Sequence, residues 1–170
     1  MRRQKLPRVS VIVPARNEEL SLKKTCRSVL ALDYPKGLLE LVIVDDGSTD
    51  KTLEIAHSIR RSTPEHVKVV SQENFGKWKA VNAGIDASSG EFVACLDADS
   101  TVREDALLKM LPYFSDERVA VVLPMLYVDS PKNFLQKVQW HEYVINMFYR
   151  KVAGFLNCIH VAPGPFSLYR

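Results

Sequence analysis

The order of apolar and polar runs predicts an α/β fold, a mainly parallel sheet flanked by helices, and three observations carry that expectation. Strand-like runs near 8–13, 39–45, 67–71, 91–96 and 118–125 alternate with helix-like runs near 18–31, 50–61, 77–88 and 103–114. Most of the strand runs are rich in Val, Ile and Leu and apolar at nearly every position, as strands covered on both faces are. Repetition of strand, helix and strand favours parallel neighbours joined by crossover helices.

The elements are legible in order. Val9–Val13 form the core of the first strand, and Asn17 is a candidate cap of the first helix, with Glu18 and Glu19 in its opening turn. Asp33-Tyr34-Pro35 and Lys36-Gly37 stop that helix and turn the chain. Ser48, Thr49 or Asp50 caps the second helix, Gly76 precedes the third, and Ser88-Ser89-Gly90 ends it. A longer helical run spans roughly 131–150. No internal repeat, low-complexity stretch or long linker divides the 170 residues, so one domain is expected.

Composition excludes several classes. A net charge of +3 is too slight to argue for nucleic acid, and the basic start, Met1–Lys5, reads as a solvated end rather than a lipid contact. No apolar run approaches the ~20 residues of a membrane span. Val9–Val13 is too short for a signal-peptide core, and no cleavage-like site follows it. Cys26, Cys95 and Cys158 lack metal-ligand spacing and sit among apolar neighbours. They read as buried thiols in a reducing compartment, which points to the cytoplasm. His57, His66, His141 and His160 share no spacing and read as structural or surface residues.

The chemistry gathers after the strands. Pro14-Ala15-Arg16-Asn17-Glu18 follows the first strand and Asp45-Asp46-Gly47-Ser48-Thr49-Asp50 the second. Gln72-Glu73-Asn74-Phe75-Gly76-Lys77 follows the third and Asp97-Ala98-Asp99-Ser100 the fourth. In a parallel sheet all four lie at the carboxyl edge, where open α/β sheets bind ligands.

Asp97 and Asp99 stand two residues apart. If the strand stays extended, both carboxylates leave on one side, about 7 Å apart at Cα. Hard oxygen donors at that spacing suit Mg²⁺ or Mn²⁺, which bind through one or two carboxylates and complete their shell with water and phosphate. Asp99, Ser100 and Thr101 have an alternative use as caps of a helix starting near Arg103, but Asp97 interrupts an apolar strand and has none. Asp45 and Asp46 suit hydrogen bonding to a base or ribose, or a turn. Lys77, opening a helix after Gly76, is a candidate phosphate contact or a solvated surface lysine. Trp78 stacks on a ligand or packs; Arg16 and Glu18 flank a nucleotide or decorate a loop.

Together VSVIVPARNEE, LVIVDDGSTDKT, NFGKWKAVNAGIDASSGEFVACLDADS and PGPFSLYR resemble the family 2 glycosyltransferases, inverting enzymes of the GT-A fold. The long helix with Gln139 and Glu142-Tyr143, followed by Pro163-Gly164-Pro165, resembles the membrane-bound processive branch that makes polysaccharides. The resemblance implies a nucleotide-sugar donor, with a UDP-sugar as the family expectation, a divalent metal (Mg or Mn), and a glycan or lipid-linked acceptor. By position, Pro14, Ala15, Arg16 and Glu18 would line the nucleotide site, and Asp46, with Asp45, would contact the base. Lys77 would sit near the donor. Asp97 would approach the ribose or diphosphate and Asp99 would ligate the metal. Gly164, Phe166 and Arg170 would fall on the acceptor side.

On this pattern residues 1–100 form the nucleotide-binding part and 101–170 the start of the acceptor-side part. The family's later Glu-Asp pair, which supplies the general base, is then expected beyond Arg170, so the chain would bind donor but transfer sugar poorly. The full enzyme is expected at the cytoplasmic face of a membrane. Two rivals remain at this level. One is a haloacid dehalogenase-type phosphatase with Asp97 as nucleophile, which fits the Asp-x-Asp-x-Thr string but not the three strands before it. The other is a non-catalytic sugar-nucleotide binding module. The apolar surface of 131–150 implies packing against other parts of the protein, self-association, or contact with a membrane surface.

Overall fold

The computed structural model describes residues 6–156, 158–159, 161–162 and 164–170. Met1–Lys5, Asn157, His160 and Pro163 lie outside the described residues. Four strands, β1 (Val9–Ala15), β2 (Leu39–Asp46), β3 (Val67–Gln72) and β4 (Phe92–Cys95), alternate with helices α1 (Leu22–Leu30), α2 (Thr52–Ser62) and α3 (Lys77–Ala87). Then come α4 (Ala106–Met110), which runs into a 3₁₀ turn, β5 (Val121–Val122), α5 (Phe134–Phe155) and β6 (Leu168–Tyr169).

All six strands form one sheet in the order β3-β2-β1-β4-β6-β5. β3, β2, β1 and β4 are parallel, and β6 runs antiparallel to both β4 and β5. The expected mixed, mainly parallel sheet is therefore present. The chain winds outward from β1 to β3 and then crosses back to place β4 on the other side of β1. That reversal opens a crevice at the carboxyl ends of β1 and β4.

The continuous apolar strands are explained by their two covered faces. Val9, Val11, Ile12 and Val13 of β1 and Leu41–Val44 of β2 are fully buried. One face packs Val11, Val13, Leu41 and Ile43 against Leu22, Cys26 and Val29 of α1, Ala56 of α2 and Leu107 of α4. On the other, Ile12, Val42 and Val44 meet Ala80 of α3. α3 lies very close there: a Cβ on Gly84 would collide with Ile12 Cγ2. Full burial of each such Val, Leu or Ile contributes ~1.5–3 kcal/mol relative to exposure.

Several boundaries differ from the sequence reading, each for a local reason. α1 begins at Leu22, and Asn17 does not cap it; Asn17 sits at φ +55 in a turn. α2 begins at Thr52, whose N–H donates to Asp50 Oδ1 at 2.9 Å. α4 begins at Ala106, so Asp99, Ser100 and Thr101 cap nothing. The apolar run 118–125 pairs over two residues only, because its partner β6 is itself two residues long. α5 starts later and ends later than 131–150: Asn133 and Gln136 form a reciprocal capping box that sets its start. Cys26 is buried, Cys95 half-buried and Cys158 exposed. The apolar neighbours of Cys158 follow a helix that has no buried residue, so they do not bring it into the core. His57 and His141 are exposed and His66 is half-buried.

Candidate functional site

The loops leaving the four parallel strands are fastened to one another. The first two are clasped by reciprocal bonds. Asn17 N–H donates to Ser48 Oγ at 3.1 Å, and Thr49 N–H donates back to Asn17 Oδ1 at 2.8 Å. Glu18 N–H donates to Thr52 Oγ1 at 2.7 Å, Glu19 N–H to Asp50 Oδ2 at 3.1 Å, and Lys51 N–H to Glu19 Oε2 at 3.0 Å. The left-handed φ of Asn17, which Asn tolerates better than most residues, aims its side chain into this clasp. The Glu18 carboxylate accepts from Ser21 Oγ at 2.5 Å.

Asp46 fastens the second loop to the third. It is 4% exposed. Its Oδ1 accepts from Gln72 Nε2 at 2.7 Å and Phe75 N–H at 3.1 Å, and its Oδ2 accepts from Gly76 N–H at 3.0 Å. Burial pushes this carboxyl up, but the bonds from Gln72, Phe75 and Gly76, with Arg16 nearby, hold it below the usual carboxylate range. Asp45, 2% exposed, accepts from Ser48 N–H at 3.3 Å through Oδ2, and its Oδ1 is buried without a partner. Gly47 follows the pair at φ +70, where a Cβ would press to 2.7 Å from Asn74 N. Both the backbone conformation and the close approach require glycine there.

Lys77 joins the third loop to the fourth. Its ammonium ion-pairs with Asp97 Oδ1. That bond raises the lysine above its ordinary value, against an opposing effect of burial. β4 ends at Cys95, and the chain turns at Ala98-Asp99, closed by Ser100 N–H donating to Asp97 O at 3.0 Å. The expectation that Asp97 and Asp99 leave one side of an extended strand is therefore corrected: the strand stops first. Asp97 is half-buried against Lys77, whereas Asp99 is exposed and accepts only from Ser100 Oγ at 3.2 Å among the described bonds. Thr25 Oγ1 of α1 donates to Ala98 O at 2.7 Å and ties the fourth loop back toward the first. Burial pushes the Cys95 thiol up to about 11, with Asp97 adding to it and Lys77 opposing, so this neighbour of the site is a poor nucleophile.

Most of the residues singled out in the sequence meet at this rim. Pro14 and Ala15 end β1 in register with Val44 and Asp45. Arg16 is exposed beside Asp46. Trp78 is 68% exposed and flanks Gly76, so it is not a packing residue of the core. Phe166 reaches the same end of β4: it is buried, holds φ +57 and donates its N–H to Cys95 O. A bulky residue in that conformation is strained. Gly164 is exposed nearby in sequence. Arg170 is not brought to the rim. β6 runs antiparallel to β4, which carries Arg170 toward Phe92 at the amino end. There its guanidinium donates to Phe114 O at 2.5 Å and lies 5.7 Å and 5.3 Å from the Phe92 and Phe114 rings.

The clasp at Asn17 and the strut from Thr25 escape sequence reasoning. The available signal is the clustering of short polar side chains after two strands that the fold makes neighbours. Among the described residues no group of three or more His, Cys, Asp or Glu side chains is arranged to hold a metal ion alone. No helix of the described residues is long and apolar enough to cross a membrane.

Parallel strands in the order β3-β2-β1-β4, with carboxylates and a lysine at the switch point, form the kind of crevice at which open α/β sheets bind ligands. The chain belongs to glycosyl transferase family 2, whose model matches residues 10–170. It is 35% identical over 150 residues to the beta-monoglucosyldiacylglycerol synthase of Nostoc sp. (strain PCC 7120 / SAG 25.82 / UTEX 2576), covering 86% of this chain and 32% of that protein. It is 34% identical over 167 residues to the poly-beta-1,6-N-acetyl-D-glucosamine synthase of Staphylococcus aureus (strain COL), covering 95% of this chain and 39% of that protein. Among solved structures, a mannosyltransferase from Pyrobaculum calidifontis in complex with GDP-Man and Mn²⁺ superposes with TM-score 0.71 at 26% identity, over 96% of this chain and 44% of that one. S. aureus TarS 1-349 in complex with UDP-GlcNAc superposes with TM-score 0.65 at 31% identity, over 74% of this chain and 36% of that one. The chain thus spans between about a third and two-fifths of the curated relatives' length. The GT-A fold and family expected from the motifs are present, and the phosphatase alternative finds no support among these relatives.

Proposed function

We propose that this chain is the donor-binding part of an inverting glycosyltransferase that moves a sugar from a nucleoside diphosphate to an acceptor hydroxyl. The observation that carries the reading is the closed chain of bonds through Asn17–Ser48, Asp46–Gly76 and Lys77–Asp97, which gathers four loops around one polar crevice. Support also comes from the neighbours solved with GDP-Man and with UDP-GlcNAc.

A divalent cation, Mg²⁺ or Mn²⁺, fits the residues present. Asp97 and Asp99 offer hard oxygen donors at one turn, and Asp99 has its carboxylate open to solvent. Two carboxylates, with no third His, Cys, Asp or Glu grouped with them among the described residues, suit an ion that completes its shell on phosphate and water. When bound, such a cation offsets the charge that grows on the leaving diphosphate. Lys77 adds a positive charge at the N-terminus of α3, the positive end of the helix dipole. Asp46 Oδ2 accepts one bond and keeps a second acceptor site for an N–H of the base. Arg16, Pro14 and Glu18 border the nucleotide, and Gly164 and Phe166 lie toward the acceptor. No residue of this chain is assigned the general base. The donor is a UDP-sugar and the acceptor a glycan or lipid-linked acceptor. The catalytic part works at the cytoplasmic face of a membrane.

Calorimetric titration of UDP and of GDP, each with Mn²⁺, tests this. UDP binds in the presence of Mn²⁺, and Asp99→Ala weakens that binding at least ~10-fold, about 1.4 kcal/mol. Unchanged affinity in Asp99→Ala would refute the assignment.

A further inference from the structure

Asp97 is the half-buried carboxylate offered to the cation, yet the ammonium of Lys77 already holds its Oδ1. Both cations cannot share that oxygen comfortably. A monovalent and a divalent charge ~4 Å apart repel by about 2 kcal/mol even at the dielectric of water. The backbone that carries Asp97 is fixed on both sides. Leu96 N–H donates to Ile12 O at 2.8 Å before it, Ser100 N–H donates to its own carbonyl at 3.0 Å, and Ala98 O is held by Thr25 at 2.7 Å. Lys77 is free to move: its side chain is 61% exposed on a four-carbon stem rooted at the first residue of α3.

We propose that Lys77 is a built-in stopper of the cation site, which occupies Asp97 in the empty protein and transfers to the donor's diphosphate when cation and nucleotide arrive. The inference rests on the donor-site reading above and extends it to an order of events. A divalent cation alone must displace a lysine whose neighbouring carboxylates, Asp97 and Asp99, are the cation's own donors. With a diphosphate at the N-terminus of α3 the released ammonium gains a new partner, so cation and nucleotide strengthen each other's binding.

The test is Mn²⁺ binding to the purified chain, read from the electron paramagnetic resonance signal of the free ion, with and without UDP. Without nucleotide, Lys77→Met and Lys77→Gln bind Mn²⁺ about threefold more tightly than the parent, the scale of a partly exposed ion pair. Lys77→Arg, which keeps the charge, stays at the parent value. The strengthening of Mn²⁺ binding by UDP is smaller in Lys77→Met and Lys77→Gln than in the parent. If neither variant tightens Mn²⁺ binding while Asp99→Ala weakens it, the stopper is wrong and the donor site stands. If Asp99→Ala binds Mn²⁺ as the parent does in both conditions, the donor-site reading fails and the stopper with it.

Discussion

The part of the chain up to Ser100 and the part after Ala106 are built on different terms. In the first, β1 and β2 are buried on both faces, and every carboxyl-edge loop is bonded to a neighbour. In the second, β5 and β6 contribute two residues each. α5 runs 22 residues without burying one of them, and Phe134 and Phe155 are 78% and 89% exposed. The carboxyl-edge loops are therefore joined to one another by contacts within the first part, and the second part adds the Phe166 N–H bond to Cys95 O. The apolar side of α5 is shaped for a contact that the described residues do not supply.

Perturbing the two parts should separate them. The largest effect is expected at Gly84. Gly84→Leu forces a side chain into the place of Ile12 and destabilises by about 3 kcal/mol, read as a lower midpoint in urea. Asp46→Asn turns an amide donor toward the Phe75 or Gly76 N–H and costs about 2 kcal/mol. The same residue fixes a pH dependence. Because its folded-state carboxyl is held low, its stabilisation is complete above the unfolded value near 4 and is lost as pH falls through the folded value. In Asp46→Asn the stability curve should flatten in that acid range, and an unchanged curve would show that another carboxylate carries the effect. Asn17→Ala removes the acceptor of both Thr49 N–H and Thr49 Oγ1 and puts alanine, less tolerant than asparagine, at φ +55, for about 1.5 kcal/mol. The smallest effect is expected on α5. Phe148→Ser changes unfolding by less than about 0.5 kcal/mol. If α5 mediates self-association, Phe148→Ser lowers the mass seen by light scattering at high concentration. A large loss of stability in Phe148→Ser would erase the contrast between the two parts.

The same contrast explains what the sequence discloses. β1 to β4 and the helices between them announce themselves through local signals: apolar runs, Gly76, Ser88 and the polar clusters at Asp45 and Asp97. Each signal acts within a few residues, and the parallel order then dictates that the clusters converge. The clasp escapes because it is a contact between loops 31 residues apart, whose partners are decided by strand order rather than by neighbours in sequence. Asn17 reads as a helix cap since the same short side chain serves both purposes. Asp97 and Asp99 read as neighbours on one side of a strand because nothing local marks the end of pairing at Cys95. After Ala106 the signals weaken. The run 118–125 looks like a long strand, but its length in the sheet is limited by β6, far away in the chain. Arg170 is carried to the opposite end by the antiparallel direction of β6, which no local pattern encodes.

In the proposed function one carboxyl-edge crevice, between Asp46, Lys77 and the Asp97–Asp99 turn, takes cation and diphosphate together. Paramagnetic broadening of amide resonances by substoichiometric Mn²⁺ in the presence of UDP measures this most directly. Signals from Gly76–Trp78 and Asp97–Thr101 should fade first, while those of Glu40, Ser89 and Gly90 at the amino edge stay sharp. Broadening centred on the amino edge, or spread evenly over the chain, would contradict the account.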